Sequence, residues 1–305
     1  MAPTDGLDGR TGETAARRRA GTHGASAILR AMPVDVDAEV LFSTRLSNDY
    51  SVVGFRAPAI AAAIRPGQFV MIRTAPGDAP LLRRPYSVFE RLRDANGRAI
   101  GFTILNKQVG VGSRMLFRAA PGAAFPCLGP LGRAFSPPPA GSEAWMVAGG
   151  TGLAPFATLT EELTAAGGRC RLFYGARTGA ELLCLDRFEP LNIEITLATE
   201  DGSRGDAGRV TVPLARELAS THERAPVVIY ACGPEAMLKA VAGLAARHGL
   251  ACEVATERRM GCGMGGCYSC VIRVRTPEGG TRYARSCIEG PVFSATDIVW
   301  DDQNL

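Results

Sequence analysis

No run in this chain approaches the roughly 18 uninterrupted apolar residues that cross a bilayer, and the N-terminus lacks the apolar core of a secretion signal. Membrane insertion and export are not expected, and a cytoplasmic protein is. A long basic run is also missing: 34 Lys and Arg stand against 30 Asp and Glu, a formal charge of +4. With no DNA-reading motif visible either, nucleic acid is not an expected partner. Internal repeats are absent. Residues 1–33 hold almost no aromatic or long aliphatic side chains, so they cannot offset the entropy of ordering and are expected to form a disordered arm. Its Arg17-Arg18-Arg19 run is expected to be solvated.

What is present begins with nine cysteines in 305 residues. In a small secreted domain they would suggest disulfides; in a chain of this length without an export signal, metal ligation better explains a cluster of them. The length itself allows two or three compact units.

From Val34 to Phe135 short β-type runs (Tyr50 to Phe55, Gln68 to Arg73, Ile100 to Leu105) alternate with Gly and Pro turns, the pattern of an antiparallel β-barrel at 34–135. The three consecutive prolines in Ser136 to Gly141 read as a linker. Over 142–250 apolar β runs (Ala144 to Ala148, Arg171 to Tyr174, Ile193 to Ala198, Val227 to Ala231) alternate with helical ones (Pro155 to Ala166, Val212 to Ala219, Glu235 to Arg247). Such alternation predicts an α/β domain with a parallel sheet covered on both faces. Residues 251–305 form a short Gly- and Cys-rich unit, too small to be stable without a staple.

That staple is legible in the spacing. Cys262 and Cys267 stand as Cys-x4-Cys, Cys267 and Cys270 as Cys-x2-Cys, and Cys287 follows after sixteen more residues, the plant-type [2Fe-2S] arrangement. Two sulfide-bridged irons need four thiolates, and the glycines at 261, 263, 265 and 266 let the loop bring N–H groups to the sulfurs. A structural zinc is the alternative, but zinc usually takes two short knuckles and only one is present. Cys127, Cys170, Cys184, Cys232 and Cys252 stand singly in apolar contexts.

Arg84-Pro85-Tyr86-Ser87 places a guanidinium, an aromatic ring and a hydroxyl together at a strand end, groups that suit the pyrophosphate and ring of a flavin. Gly110-Val-Gly112-Ser113 then leads into a helical stretch from Arg114 to Phe117, where N–H groups can face phosphate oxygens. Further on, the strand through Ala148 runs into Gly149-Gly150-Thr151-Gly152, with Pro155 suited to the first turn of a helix. This turn lacks the Gly-x-Gly-x-x-Gly spacing, yet its place at a strand's carboxyl end is where dinucleotides bind. Cys232-Gly233-Pro234 ends a second strand in the same way. Its thiol reads either as a buried core cysteine or, with both turns aimed at one crevice, as a catalytic contact beside a nicotinamide.

In this order the motifs resemble the ferredoxin reductase-like superfamily from Val34 to the C-terminus. Within it, Cys287-Ile-Glu-Gly290-Pro291-Val292-Phe293 followed by Ile298-Val-Trp300 is similar to the electron-transfer subunits of class B dihydroorotate dehydrogenases. The resemblance implies FAD held by Arg84 to Ser87, by Leu105, Asn106 and Lys107, and by Gly112 and Ser113, with NAD at the two strand-end turns. It also implies an FMN-containing dihydroorotate dehydrogenase catalytic subunit as partner, two copies of each. Electrons would pass from that subunit through the [2Fe-2S] centre and FAD to NAD+ in pyrimidine biosynthesis.

Some positions depart from the family's pattern: Tyr86 stands for an aliphatic residue, Ser113 for threonine, Glu289 for aspartate, and the arm is long. They leave open a paralogous NAD(P)H reductase serving ferredoxin or another oxidoreductase. Bifurcating-type relatives carry aspartate at the first ligand position, where this chain has Cys262. A redox sensor without enzymatic activity would not need two dinucleotide pockets. NAD against NADP stays open, with Arg177 as a candidate contact to a 2′-phosphate.

Overall fold

The structure, a computed structural model, describes residues 32–75, 80–220 and 225–300. Of the disordered arm expected at residues 1–33, residues 1–31 lie outside the described residues. The first module comprises β1 (Val34–Arg45), β2 (Tyr50–Arg56), α1 (Pro58–Ala63), β3 (Phe69–Ile72), β4 (Arg84–Arg93), β5 (Ala99–Lys107), α2 (Val111–Phe117) and β6 (Ala124–Leu131). Its strands close into an antiparallel barrel of order β1-β2-β5-β4-β3-β6.

The period of two in β2 explains how this barrel serves two cores. Val53 and Phe55 point inward with Phe102, Ile104, Ile60 and Leu116, while Tyr50 and Val52 point outward into a second apolar cluster. Both faces are therefore buried, and the strand reads as a nearly unbroken apolar run.

The second module contains β7 (Glu143–Gly149), α3 (Ala154–Ala165), β8 (Arg169–Ala176), β9 (Glu194–Thr199), β10 (Asp206–Ala207), α4 (Thr211–Ala219), β11 (Val227–Cys232), α5 (Glu235–Arg247) and β12 (Ala251–Ala255). Its strands are parallel, and the sheet order is β10-β9-β8-β7-β11-β12 with one further strand beyond β12. Alternation again sorts the side chains. Met146, Tyr174 and Tyr230 face a core shared with the barrel through α3, and Trp145, Phe173 and Ile229 face the core under α4 and α5. Arg91 Nη2 reaches across from the barrel to Glu162 on α3 at 3.0 Å and is anchored within the barrel module by the Ile64 carbonyl at 2.5 Å.

The last module adds the hairpin β13 (Val271–Arg275) and β14 (Thr281–Arg285) and the strand β15 (Val292–Ser294). The sheet's extra strand is β15, which pairs antiparallel with β12. Two differences from the sequence reading follow. Ala251–Ala255, assigned there to the last unit, pairs in register with β11 and belongs to the nucleotide sheet. The last unit also contributes an edge strand to that sheet. Both arise because pairing partners are chosen by tertiary packing: Val254 and Phe293 are opposed in register and bury into the same core. No helix among the described residues is long and apolar enough to cross a membrane.

Candidate functional site

The segment Arg84–Ser87, expected to hold the flavin, opens β4 and lies opposite β3, with Phe69 facing Ser87, Val70 facing Tyr86, Met71 facing Pro85 and Ile72 facing Arg84. Tyr86 is half-buried against the barrel core, and burial pushes its phenol up to about 12 despite the nearby Arg84 charge. Ser87 is exposed. Arg84 Nη1 donates to the Leu82 and Arg83 carbonyls at 2.8 and 3.2 Å, which holds the guanidinium beside its own loop.

Gly112 meets this segment directly. A Cβ there would lie 2.9 Å from Thr74 Oγ1 and 3.4 Å from Arg84 Cγ, so a side chain would fill the space the two residues share. The helix starts at Val111, earlier than the expected Arg114, which places Gly112 and Ser113 inside its first turn. Ser113 serves the loop itself: its Oγ accepts the N–H groups of Val109 and Gly110 at 2.8 and 3.0 Å and donates to the Gly110 carbonyl at 3.1 Å. Asn106 is fully buried and donates to the Ser113 carbonyl and to Ser51 Oγ at 3.1 and 3.3 Å. Leu105 is buried in the core shared with the sheet, and Lys107 Nζ sits 5.0 Å from the Tyr50 ring centroid.

A flavin fits these residues on an observation independent of motif. Thr74 Oγ1 and Asn106 Oδ1 are buried and have no hydrogen-bond partner, which is costly unless a ligand supplies one. Sequence reasoning missed Thr74, because a threonine after a strand carries no mark of what will face it.

The two strand-end turns interlock. β7 and β11 are neighbours, with Ala148 opposite Cys232. The chain runs from β7 outward through β8, β9 and β10, then crosses back to β11 and continues to β12 on the other side, which makes the carboxyl ends of β7 and β11 the sheet's switch point. Gly149 leads through the tight turn Gly150–Leu153, including Thr151, into α3, with Pro155 in the first turn. A Cβ on Gly152 would stand 2.2 Å from the Cys232 carbonyl oxygen, and Gly233, at φ +155°, packs against Gly149. Only glycine permits this approach. Pro234 Cδ would lie 2.8 Å from a Cβ on Gly149. Burial and the nearby Glu257 carboxylate push the Cys232 thiol up to about 12, so it stays neutral at physiological pH. Arg177 is engaged by Glu181, with Nη2 to Oε1 at 2.7 Å.

The four cysteines expected to hold the cluster lie at two depths. Cys270 and Cys287 are 2% and 1% exposed, whereas Cys262 is half-buried and Cys267 exposed. As free thiols they are linked in pairs. Hydrogen bonds from Ser269 and from Cys262 pull Cys267 down to about 6. Burial, then a hydrogen bond with Cys270, pushes Cys287 up to about 12, while the Gly265 N–H opposes the rise. Met264 and Gly266 donate their N–H groups to Cys262 Sγ at 3.4 and 3.3 Å. Ser269 Oγ, which sequence reasoning also missed, joins Gly261 N–H at 2.9 Å to Cys267 Sγ at 3.1 Å.

Among the described residues no three His, Cys, Asp or Glu side chains are arranged around a single ion position. The donor set itself, four cysteine sulfurs in an inner and an outer pair with amides aimed at Cys262, fits a two-iron cluster. Cys270 and Cys287 pack with Phe69, Met71, Leu128 and Leu131 of the barrel, and a Cβ on Gly263 would lie 2.6 Å from Met71 Cγ. Met71 is the residue opposite Pro85. The cluster loop therefore rests on the strand that flanks the flavin segment.

Comparison with known proteins agrees module by module. Residues 37–135 match the oxidoreductase FAD-binding domain, 146–243 the oxidoreductase NAD-binding domain, and 257–299 the iron-sulfur cluster binding domain of dihydroorotate dehydrogenase B. Together they define an oxidoreductase of the ferredoxin reductase-like fold with FAD, NAD and iron–sulfur modules. The solved structure of an NADH-dependent reduced ferredoxin-NADP oxidoreductase superposes with a TM-score of 0.74 at 26% identity, covering 88% of this chain and 91% of that one.

The dihydroorotate dehydrogenase B (NAD(+)) electron transfer subunit of Desulforamulus reducens is 37% identical over 267 residues, 87% of this chain and 98% of its own length. That of Bacillus caldolyticus is 39% identical over 238 residues, 77% of this chain and 87% of its own. The chain belongs to the family of dihydroorotate dehydrogenase B electron transfer subunits.

Proposed function

We propose that this chain carries electrons from a separate FMN-containing dihydroorotate dehydrogenase subunit, through a [2Fe-2S] centre and FAD, to NAD+, in the cytoplasm and in pyrimidine biosynthesis. Bound, the cluster supplies one-electron transfer and the flavin converts single electrons to a hydride. Cys262, Cys267, Cys270 and Cys287 hold the cluster. Arg84, Tyr86, Ser87, Asn106 and Gly112 frame the flavin, Gly149 to Gly152 with Gly233 and Pro234 frame the nicotinamide dinucleotide, and the neutral Cys232 thiol borders its ring. Two copies of each subunit are the assembly that family analogy suggests.

The observation that carries this reading is continuity. The cluster loop rests on Met71, Met71 pairs with Pro85, and the same barrel shares a core with the sheet that ends in the two nucleotide turns. Every relay is thereby held in one packed body.

The test is co-expression with an FMN-bearing dihydroorotate dehydrogenase subunit, which should give a stable complex that reduces NAD+ with dihydroorotate. Failure to co-purify, with NADH-dependent flavin bleaching retained, would point instead to a reductase serving ferredoxin. The likeness in fold to the ferredoxin-NADP oxidoreductase favours that second reading; a cysteine at the first ligand position, Cys262, favours the first.

A further inference from the structure

Besides the cysteines, the side chain of Arg285 reaches into the cluster loop from the hairpin. Arg285 ends β14, two residues before Cys287, and its Nη1 donates to the Gly265 carbonyl at 3.0 Å. That carbonyl belongs to the same planar amide as the Gly266 N–H, which donates to Cys262 Sγ at 3.3 Å. A permanent positive charge is thus joined to a ligand sulfur through a single peptide group.

Both the side chain and the backbone of Arg285 are held in place. The guanidinium stacks on Tyr268, 5.1 Å from the ring centroid, and the Arg285 backbone N–H donates to Glu289 Oε1 at 3.1 Å. Tyr268 lies between two ligands in the left-handed region, at φ +56°, which disfavours a side chain, and its ring is 60% exposed. The Glu289 carboxylate is itself paired with Arg282 at 2.6 Å, so its charge is balanced by a residue other than Arg285. The groups that meet the Arg285 guanidinium, the Gly265 carbonyl and the Tyr268 ring, are neutral.

We propose that Arg285 is a positioning residue that raises the reduction potential of the cluster by polarising the Gly265–Gly266 amide against Cys262. One-electron reduction adds negative charge to the centre. A stronger N–H···S bond and a fixed cation nearby both stabilise that reduced form. The proposal rests on the [2Fe-2S] reading above and adds a residue that binds no metal.

Redox titration of the full-length protein, followed by electron paramagnetic resonance of the reduced cluster, tests it on the parent, Arg285→Gln, Arg285→Lys and Tyr268→Leu. Arg285→Gln is expected to lower the midpoint potential, Arg285→Lys to restore most of the difference, and Tyr268→Leu to lower it by less. Loss of iron to a chelator should be fastest in Arg285→Gln. Equal potentials in the parent and Arg285→Gln overturn the proposal. If Arg285→Gln assembles no cluster, Tyr268→Leu decides: a lowered potential supports the clamp and an unchanged one overturns it. A parent protein without iron and sulfide removes the cluster reading itself, and metal analysis shows that before any variant is compared.

Discussion

The barrel packs Val53, Phe55, Phe102 and Ile104 against Ile60 and Leu116 in an interior built wholly from its own residues. The cluster unit is built differently. Ile272, Val274, Ala284 and Ile298 bury into the core beneath the nucleotide sheet, while Cys270 and Cys287 complete an apolar contact with β3 and β6 of the barrel. One module is stabilised by hydrophobic burial within itself, and the other by its neighbours and its ligand set. For an electron relay this difference has a use: a unit with no independent core cannot drift relative to the two modules it bridges, so the spacing between redox groups is set by the packing of all three.

The largest effect expected from this contrast concerns removal of the cluster. Chelation of iron, read by amide hydrogen exchange, should take the loop and hairpin over residues 257–290 to opening free energies of about 0–1 kcal/mol while β2 and β5 keep their protection. Equal protection before and after would mean that the hairpin's burial against the sheet suffices alone.

Next in size is Gly152→Val. The added Cβ falls 2.2 Å from the Cys232 carbonyl, so the two turns must part, at about 1–3 kcal/mol in stability. NADH affinity should fall on the order of tenfold or more, equivalent to ~1.4 kcal/mol, with flavin absorbance retained. Unchanged NADH titration would separate this crevice from nucleotide binding.

Thiol chemistry sharpens the comparison further. In cluster-free protein at neutral pH, Cys267, pulled down to about 6, should be alkylated on the order of a hundredfold or more faster than Cys127, which burial pushes up to about 12. The sign follows from the thiolate fraction: labelling of Cys267 should slow as pH falls through about 6, while Cys127 stays protonated. Mass spectrometry of the labelled peptides measures both.

The smallest effect is that of Thr74→Val, which removes a buried hydroxyl without a partner. The flavin-free protein should be as stable as the parent or slightly more so, while FAD affinity weakens by about 1 kcal/mol, roughly fivefold, in a fluorescence titration. Loss of stability without loss of affinity would show that the hydroxyl does not face the flavin.

Much of this architecture was legible from local pattern. Strand and helix alternation placed β7 to α5, and the cysteine spacing marked the loop that the fold gathers. The remainder is set by contacts distant in sequence. Val292–Ser294 is three residues long and shows no periodicity by itself; it is a strand because β12 offers an edge. Ser113 was expected to contact FAD; that its hydroxyl closes the turn at Gly110 was not legible, because it depends on where the helix begins. Arg285 looks like any solvated arginine until the hairpin carries it to Gly265.

The central claim is that electrons cross between the two flavin-bearing subunits by way of the four thiolates. Rapid mixing of dihydroorotate with the two-subunit complex carrying Cys270→Ala tests it most directly. The expected result is bleaching of the partner's flavin, no bleaching of FAD on this chain beyond a slow background, and normal bleaching of that same FAD by NADH. Reduction of FAD by dihydroorotate at the parent rate would contradict the account.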